Sequence, residues 1–242
     1  MKANRNIAIT IGMLFILTEI TSITGLILYD PILHDPDYII KGACSETRVL
    51  WGAFFEILLV FTQIGTAITL FPILKKYNES MAIGTVCFRL LEATMVTIGI
   101  ISLLAIVTLN HECLKETNPP PSAYLVAGKL LLDVHNWTFL YGPNLALGPS
   151  TFMTSCLLYK SKLVPRFVTF LGLAGGPLIS VNALLVTFGV YPQISAWGLV
   201  LAIPVFAYEV SLAVRLLVNG FNSAPAAYVP VQNLFKLAGR QV

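Results

Sequence analysis

Seven ionisable side chains fall inside otherwise apolar runs of this chain: Glu19, Glu56, Arg89, Glu92, Lys129, Asp133 and Glu209. A charge within hydrocarbon is costly, so each such group must pair, reach the interface or serve a ligand. Arg89 and Glu92 stand three residues apart, on one face of a helix and within ion-pair reach. That spacing suits an interhelical clamp first, and a ligand or proton site as the alternative. Lys129, Asp133 and Asn136 follow at intervals of four and three, one stripe carrying a cation, an anion and an amide. His135 lies two residues from Asp133, about 200° round a helix, so its partner must come from another helix. Glu19, Glu56 and Glu209 have no opposite charge at helical spacing; buried, they must pair between helices or hold a proton. The candidate ligand-binding set is Arg89, Glu92, Asp133, His135, Asn136 and Glu209, with no residue singled out as catalytic.

Each candidate has a plainer role beside it. Lys129 can snorkel to the outer surface, and Glu56 can be wetted by headgroup water near its helix end. Trp51, Tyr124, Tyr159 and Trp197 sit where interface anchors belong. His34, His111 and His135 are too widely spaced for a metal site. There is no P-loop, paired Cys-x-x-Cys, His-Glu-x-x-His or glycine-rich dinucleotide fingerprint, so nothing names a cofactor.

The elements that must position these groups follow from composition. Of 242 residues, 56% are hydrophobic and 11% charged, with mean hydropathy +0.79, against roughly a quarter charged in a soluble domain. So little charge cannot cover a water-facing surface, and the solvent is the lipid bilayer. A net charge of +3, with basic residues in short loops, gives nucleic-acid binding no footing. The expected fold is all-α, a polytopic transmembrane bundle of about six spans: 7–28, 49–74, 81–109, 123–159, 167–190 and 195–218. Together they make one domain, 1–220, with 221–242 a short tail. The first span is too long for a signal-peptide core and carries Glu19, so it reads as retained. A short turn after Lys75-Lys76 makes the second and third spans a hairpin. Gly142-Pro143 and Gly148-Pro149 should bend the long fourth span, and Gly172, Gly175 and Gly176 should bring the fifth close to a neighbour.

Orientation follows from the cations. Lys2, Arg5, Lys75, Lys76, Lys160, Lys162, Arg166, Arg215, Lys236 and Arg240 lie on one side; Lys41, Arg48 and Lys115 lie on the other. The richer side is cytoplasmic, which puts both termini there. Cys44 and Cys113 then share the outer side, as a disulfide or as two free thiols, while Cys87 and Cys156 fall within spans.

The stretch Ala67 to Ile100, AITLFPILKKYNESMAIGTVCFRLLEATMVTIGI, resembles a prokaryotic membrane family known as domain of unknown function 4386. The likeness rests on a Leu-Phe-Pro helix end, a basic turn, and Phe88, Arg89, Glu92 and Ala93 on the next helix. It continues through His135-Asn136, Leu163, Pro165, Arg166 and Gly172, and a last helix with Pro204, Glu209, Leu216 and Gly220. The resemblance implies a six-helix inner-membrane protein of the prokaryotic cell and no known activity. It highlights Arg89, Glu92, His135, Asn136, Arg166 and Glu209. The leading functional expectation is a membrane-embedded small-molecule binding or transport protein. The alternatives are an intramembrane enzyme using carboxyl and His135 acid–base chemistry on a lipid or isoprenoid, and a structural or accessory subunit.

Overall fold

The computed structural model describes residues 2–34, 38, 46–115, 121–193 and 195–222; every regular element among them is helical. Helix α1 spans Lys2–Leu28, and the short α2 spans Asp30–His34. Helices α3, Glu46–Leu74, and α4, Glu79–Lys115, form a hairpin. Its turn ends where Asn78 Oδ1 accepts from Met81 N at 2.9 Å, satisfying one of the free amides that open α4. Helix α5, Pro121–Leu140, runs unbroken into a π-helical turn, Tyr141–Ala146, and then α6, Leu147–Ser161. Lys162, at φ 55°, ends α6 in the left-handed region, and Pro165 precedes α7, Arg166–Thr187. Helix α8, Ala196–Val218, is capped by Ser195 Oγ, which accepts from Gly198 N at 3.1 Å.

Five of these helices, α1, α3, α4, α7 and α8, are long and apolar enough to cross a membrane. The α5–π–α6 rod packs along α4 throughout. Its break in helix type and its Lys129 and Asp133 keep either half from qualifying alone. The surface is inside out by the standards of a soluble protein. Leu17, Ile20, Phe61, Ile101, Phe170 and Ile203 are exposed, while Gln63, Arg89, Glu92, Ser155, Asn182 and Glu209 are buried. That distribution suits hydrocarbon outside and polar pairing within, and the chain is an integral membrane protein.

Two apolar clusters divide the interior. One, built on Phe15, Leu74, Leu158, Val168 and Leu212, fills the end that holds the α3–α4 turn. The other, built on Tyr29, Val49, Leu103 and Ile106, fills the opposite end. The polar residues lie between them. Helix α7 reaches its neighbours through glycine: a Cβ on Gly176 would stand 2.6 Å from Gly148 O, and one on Gly175 2.7 Å from Val205 N.

The first and last helices close the bundle. Arg5 donates to the carbonyls of Leu216 (3.3 Å), Leu217 (2.7 Å) and Val218 (3.1 Å), taking up acceptors that the end of α8 leaves free. Both ends of the described chain thus sit at one face. Arg5→Ala is expected to cost about 1.5–3 kcal/mol, the range for hydrogen bonds from a charged donor. A lower thermal midpoint in detergent would register it; an unchanged midpoint would mean water replaces the guanidinium without loss.

Of the proposed disulfide pair, Cys44 lies outside the described residues, and Cys113 is a buried free thiol among them.

Candidate functional site

Arg89 opens toward the bundle axis from the third turn of α4, and Glu92 follows three residues on, on the same face. The guanidinium donates to Glu92 Oε2 at 3.3 Å and, across to α8, to Glu209 Oε1 at 2.5 Å. All three residues are about 95% buried. Glu19 of α1 brings a third carboxyl within hydrogen-bonding reach of Glu209. Gln63 of α3 completes the ring. With its amide turned to suit its neighbours, its nitrogen donates to Glu92 Oε1 and its oxygen accepts from Ala93 N, each at 3.2 Å. The Phe15 ring lies 5.8 Å from the guanidinium carbon and covers it on the apolar side. Four helices therefore contribute one cation, three carboxyls and an amide to a single node.

A cavity of about 220 Å³ opens against this node, walled by Thr18, Glu19, Ser22, Gln63, Arg89, Glu92 and Glu209 and closed by apolar side chains of the π segment, α7 and α8. The π-helical turn supplies Pro143 and Asn144 to its wall. Pro143 has no amide hydrogen to give the Phe139 carbonyl, and Asn144 Nδ2 makes a long contact of 3.5 Å to that oxygen instead. The bend expected at Gly142-Pro143 thus takes the form of a π turn, a distortion frequent at functional sites.

A second polar group sits further toward the α3 N-terminus. Glu56 faces the Tyr29 hydroxyl, and His135 of α5 packs edge-on to Tyr29 at 5.9 Å and stacked on Phe139 at 6.2 Å. His135 is 4% exposed, and its Nδ1 makes no hydrogen bond of good geometry among the described residues. Gly99 lets α5 approach here, since a Cβ on it would lie 3.2 Å from His135 Nδ1.

Of the residues singled out by type and spacing, Arg89, Glu92 and Glu209 come together. His135 stands with Glu56 rather than with them. Asn136 faces outward into a groove of about 660 Å³ shared with His34, Trp137, Tyr191 and Gln193. Asp133 and Lys129 are exposed on α5 and join neither node. Gln63 was missed: a neutral amide carries no cost signal comparable to a charge, although it is a conspicuously polar residue in the middle of α3. Pro143 enters the sequence reading only as a source of bending, and Asn144 not at all. Among the described residues no group of His, Cys, Asp and Glu is arranged to hold a metal.

A family model for a domain of unknown function, DUF4386, matches residues 10–220. The chain belongs to DUF4386. The matched region contains every residue of both polar nodes, so the DUF4386 domain and the buried site coincide in this chain. No curated protein and no solved structure shows significant similarity to it.

Proposed function

We propose that this chain is a membrane-embedded small-molecule binding or transport protein whose ligand is a small organic cation, exchanged in the main cavity against a proton. The observation that carries this reading is the charge of the cavity wall. Glu19, Glu92 and Glu209 face one guanidinium, and Arg89 is already engaged by Glu92 and Glu209. An anionic ligand would find no free guanidinium fork. A cation would find surplus carboxyl, and a proton offsets that surplus when no cation is bound. The volume of about 220 Å³ falls below the ~300–1,000 Å³ of drug-sized pockets, which limits the ligand to a few heavy atoms. By the cation count, the face carrying Arg5 and the end of α8 is cytoplasmic, in the cell membrane of a prokaryote.

Acid–base chemistry on a lipid fits less well. The carboxyl and imidazole that stand together, Glu56 and His135, border a space of only about 10 Å³.

Native mass spectrometry of the protein in mild detergent, followed by calorimetric titration with guanidinium at millimolar concentration, tests the proposal. Guanidinium is small, planar and permanently charged. Glu92→Gln is expected to leave expression and thermal unfolding nearly unchanged while weakening guanidinium binding at least tenfold. If the variant aggregates on extraction, or binds guanidinium as the wild type does, Glu92 is interhelical glue and the binding reading falls to the structural one.

A further inference from the structure

We infer that the main cavity is entered sideways from the lipid, between α1 and α8, and that the cation it takes is the head of an amphiphile whose alkyl tail lies along that seam. This names the ligand class of the cation-binding reading above and rests on it. The lateral mouth itself stands on how the two helices pack.

Helices α1 and α8 run antiparallel, and helical periodicity aligns one stripe of each with the other. On α1 the stripe is Gly12, Phe15, Glu19, Ser22 and Leu26; on α8 it is Ala213, Glu209, Phe206 and Ala202. Toward the Arg5 clasp the stripes touch. A Cβ on Gly12 would stand 2.9 Å from Ala213 O, Phe15 shares an apolar cluster with Leu212, and Glu19 comes within hydrogen-bonding reach of Glu209. Past that level they part. Phe15 is 2% and Glu209 6% exposed, whereas Leu26 is 41% and Phe206 48% exposed. Each helix has turned to another neighbour. A Cβ on Gly25 of α1 would meet Glu56 Cγ of α3 at 2.9 Å, and Arg48 of α3 donates to Ile27 O at 2.8 Å. On α8, Val205 lies against Gly175 of α7.

The parting begins at the polar node. Glu19 and Ser22 of α1 and Phe206 of α8 line the cavity of about 220 Å³ and are each at least partly exposed, while Gln63, Arg89, Glu92 and Ile179 behind them are buried. The cavity therefore has its mouth between α1 and α8. Glu19 lies roughly 21 Å along α1 from Arg5, inside a hydrocarbon layer about 30 Å thick. At that depth a bare cation is costly, and one carried by an alkyl tail gains from the acyl chains around it. Ile23 and Leu26 on one side, with Ile203 and Phe206 on the other, give the seam an apolar lining for that tail. From Glu19 to Leu26 the seam runs for roughly 10 Å. The cavity volume thus bounds the head of the ligand alone, and Glu19, the carboxyl at the mouth, is the first to meet it.

The test uses the full chain in phosphatidylcholine nanodiscs and decylguanidinium carrying a diazirine at the tail end. After illumination, adducts are located by peptide mass spectrometry. They are expected on residues 22–26 of α1 and 199–206 of α8, and excess guanidinium should lower them at least tenfold. Glu19→Gln, with thermal unfolding matched to the wild type, should lower them to the same extent. Leu26→Trp fills the seam outside the cavity wall. It should lower the adducts at least fivefold while leaving the calorimetric titration with guanidinium within twofold of wild type. Adducts spread over the exposed faces of α3, α4 and α7 and unmoved by Glu19→Gln, or wild-type labelling of the seam in Leu26→Trp, overturn the lateral mouth. If guanidinium still binds in that case, the reading of the cavity as a small-cation site stands without it. Saturable labelling of the seam that Glu19→Gln abolishes, with no heat from guanidinium alone, keeps the amphiphile and removes the free small cation as ligand.

Discussion

Arg89→Ala is expected to destabilise the bundle by about 3–5 kcal/mol, the cost of breaking a buried ion pair from one side. The reason is what remains behind: Glu92 and Glu209 keep their places, about 95% buried, with no cation facing them. Arg89→Lys should recover only part of the loss. An ammonium has no fork with which to reach Glu92 on its own helix and Glu209 on α8 together. The decisive companion is Arg89→Met with Glu92→Gln and Glu209→Gln, in which both partners of each ion pair lose their charge together and only the Glu19 carboxyl stays. Neutral replacement of a whole buried ionic group is often tolerated, so this triple variant should unfold close to the wild type in mixed detergent micelles while losing guanidinium binding. A cost below about 1 kcal/mol for Arg89→Ala would mean that water in the adjoining cavity solvates the abandoned carboxylates, and that the cluster contributes little to holding α4 and α8 together.

Gly175→Val is expected to do comparable damage by a different route. The atoms nearest to an added Cβ are all main chain: Val205 N at 2.7 Å, and Pro204 C and Val205 Cα at 2.9 Å. None can turn aside as a side chain can, so α7 and α8 must separate along their contact. Overpacking a tight interface costs about 1–3 kcal/mol and at times more; with backbone on the far side, the upper end applies. The effect reaches the site, because Glu209 lies one turn beyond Val205 and moves with α8. Gly84→Ala is the control. Its Cβ meets Met153 Sδ at 2.8 Å, a flexible thioether that can shift, and the cost should stay below about 1 kcal/mol. Thermal unfolding and guanidinium titration on both variants decide the point. Equal losses would show that the glycine surface of α7 is not what seats α8.

How far the sequence discloses this arrangement depends on the range of each interaction. Arg89 and Glu92 are legible because helical periodicity alone puts them on one face. Glu209 is legible as a residue that needs a partner, but its partner is not, since the pairing is set by how α8 packs on α7 through Gly175. His135 and Asn136 are neighbours in sequence that face opposite ways, one toward Tyr29 and one toward the outer groove. Periodicity fixes that divergence but not which of the two points inward. Lys129 and Asp133 have the helical spacing of a buried pair and are nonetheless exposed, because α5 turns that stripe away from α4. The bend in the fourth run is legible in Gly142-Pro143. That it becomes a π turn, which lays Pro143 against the main cavity, depends on the fit of the whole rod along α4.

The two partners of Arg89 also differ in when they exist. Glu92 leaves the ribosome with Arg89, on the same helix, whereas Glu209 is 120 residues further on. At ~5–20 residues per second, that interval is roughly 6–24 s of synthesis. Throughout it, a hairpin bearing a guanidinium must rest in or beside the bilayer without its partner on the last helix. The weaker contact, at 3.3 Å, thus acts as a chaperone for the charge, and the stronger one becomes available only when the last helix arrives.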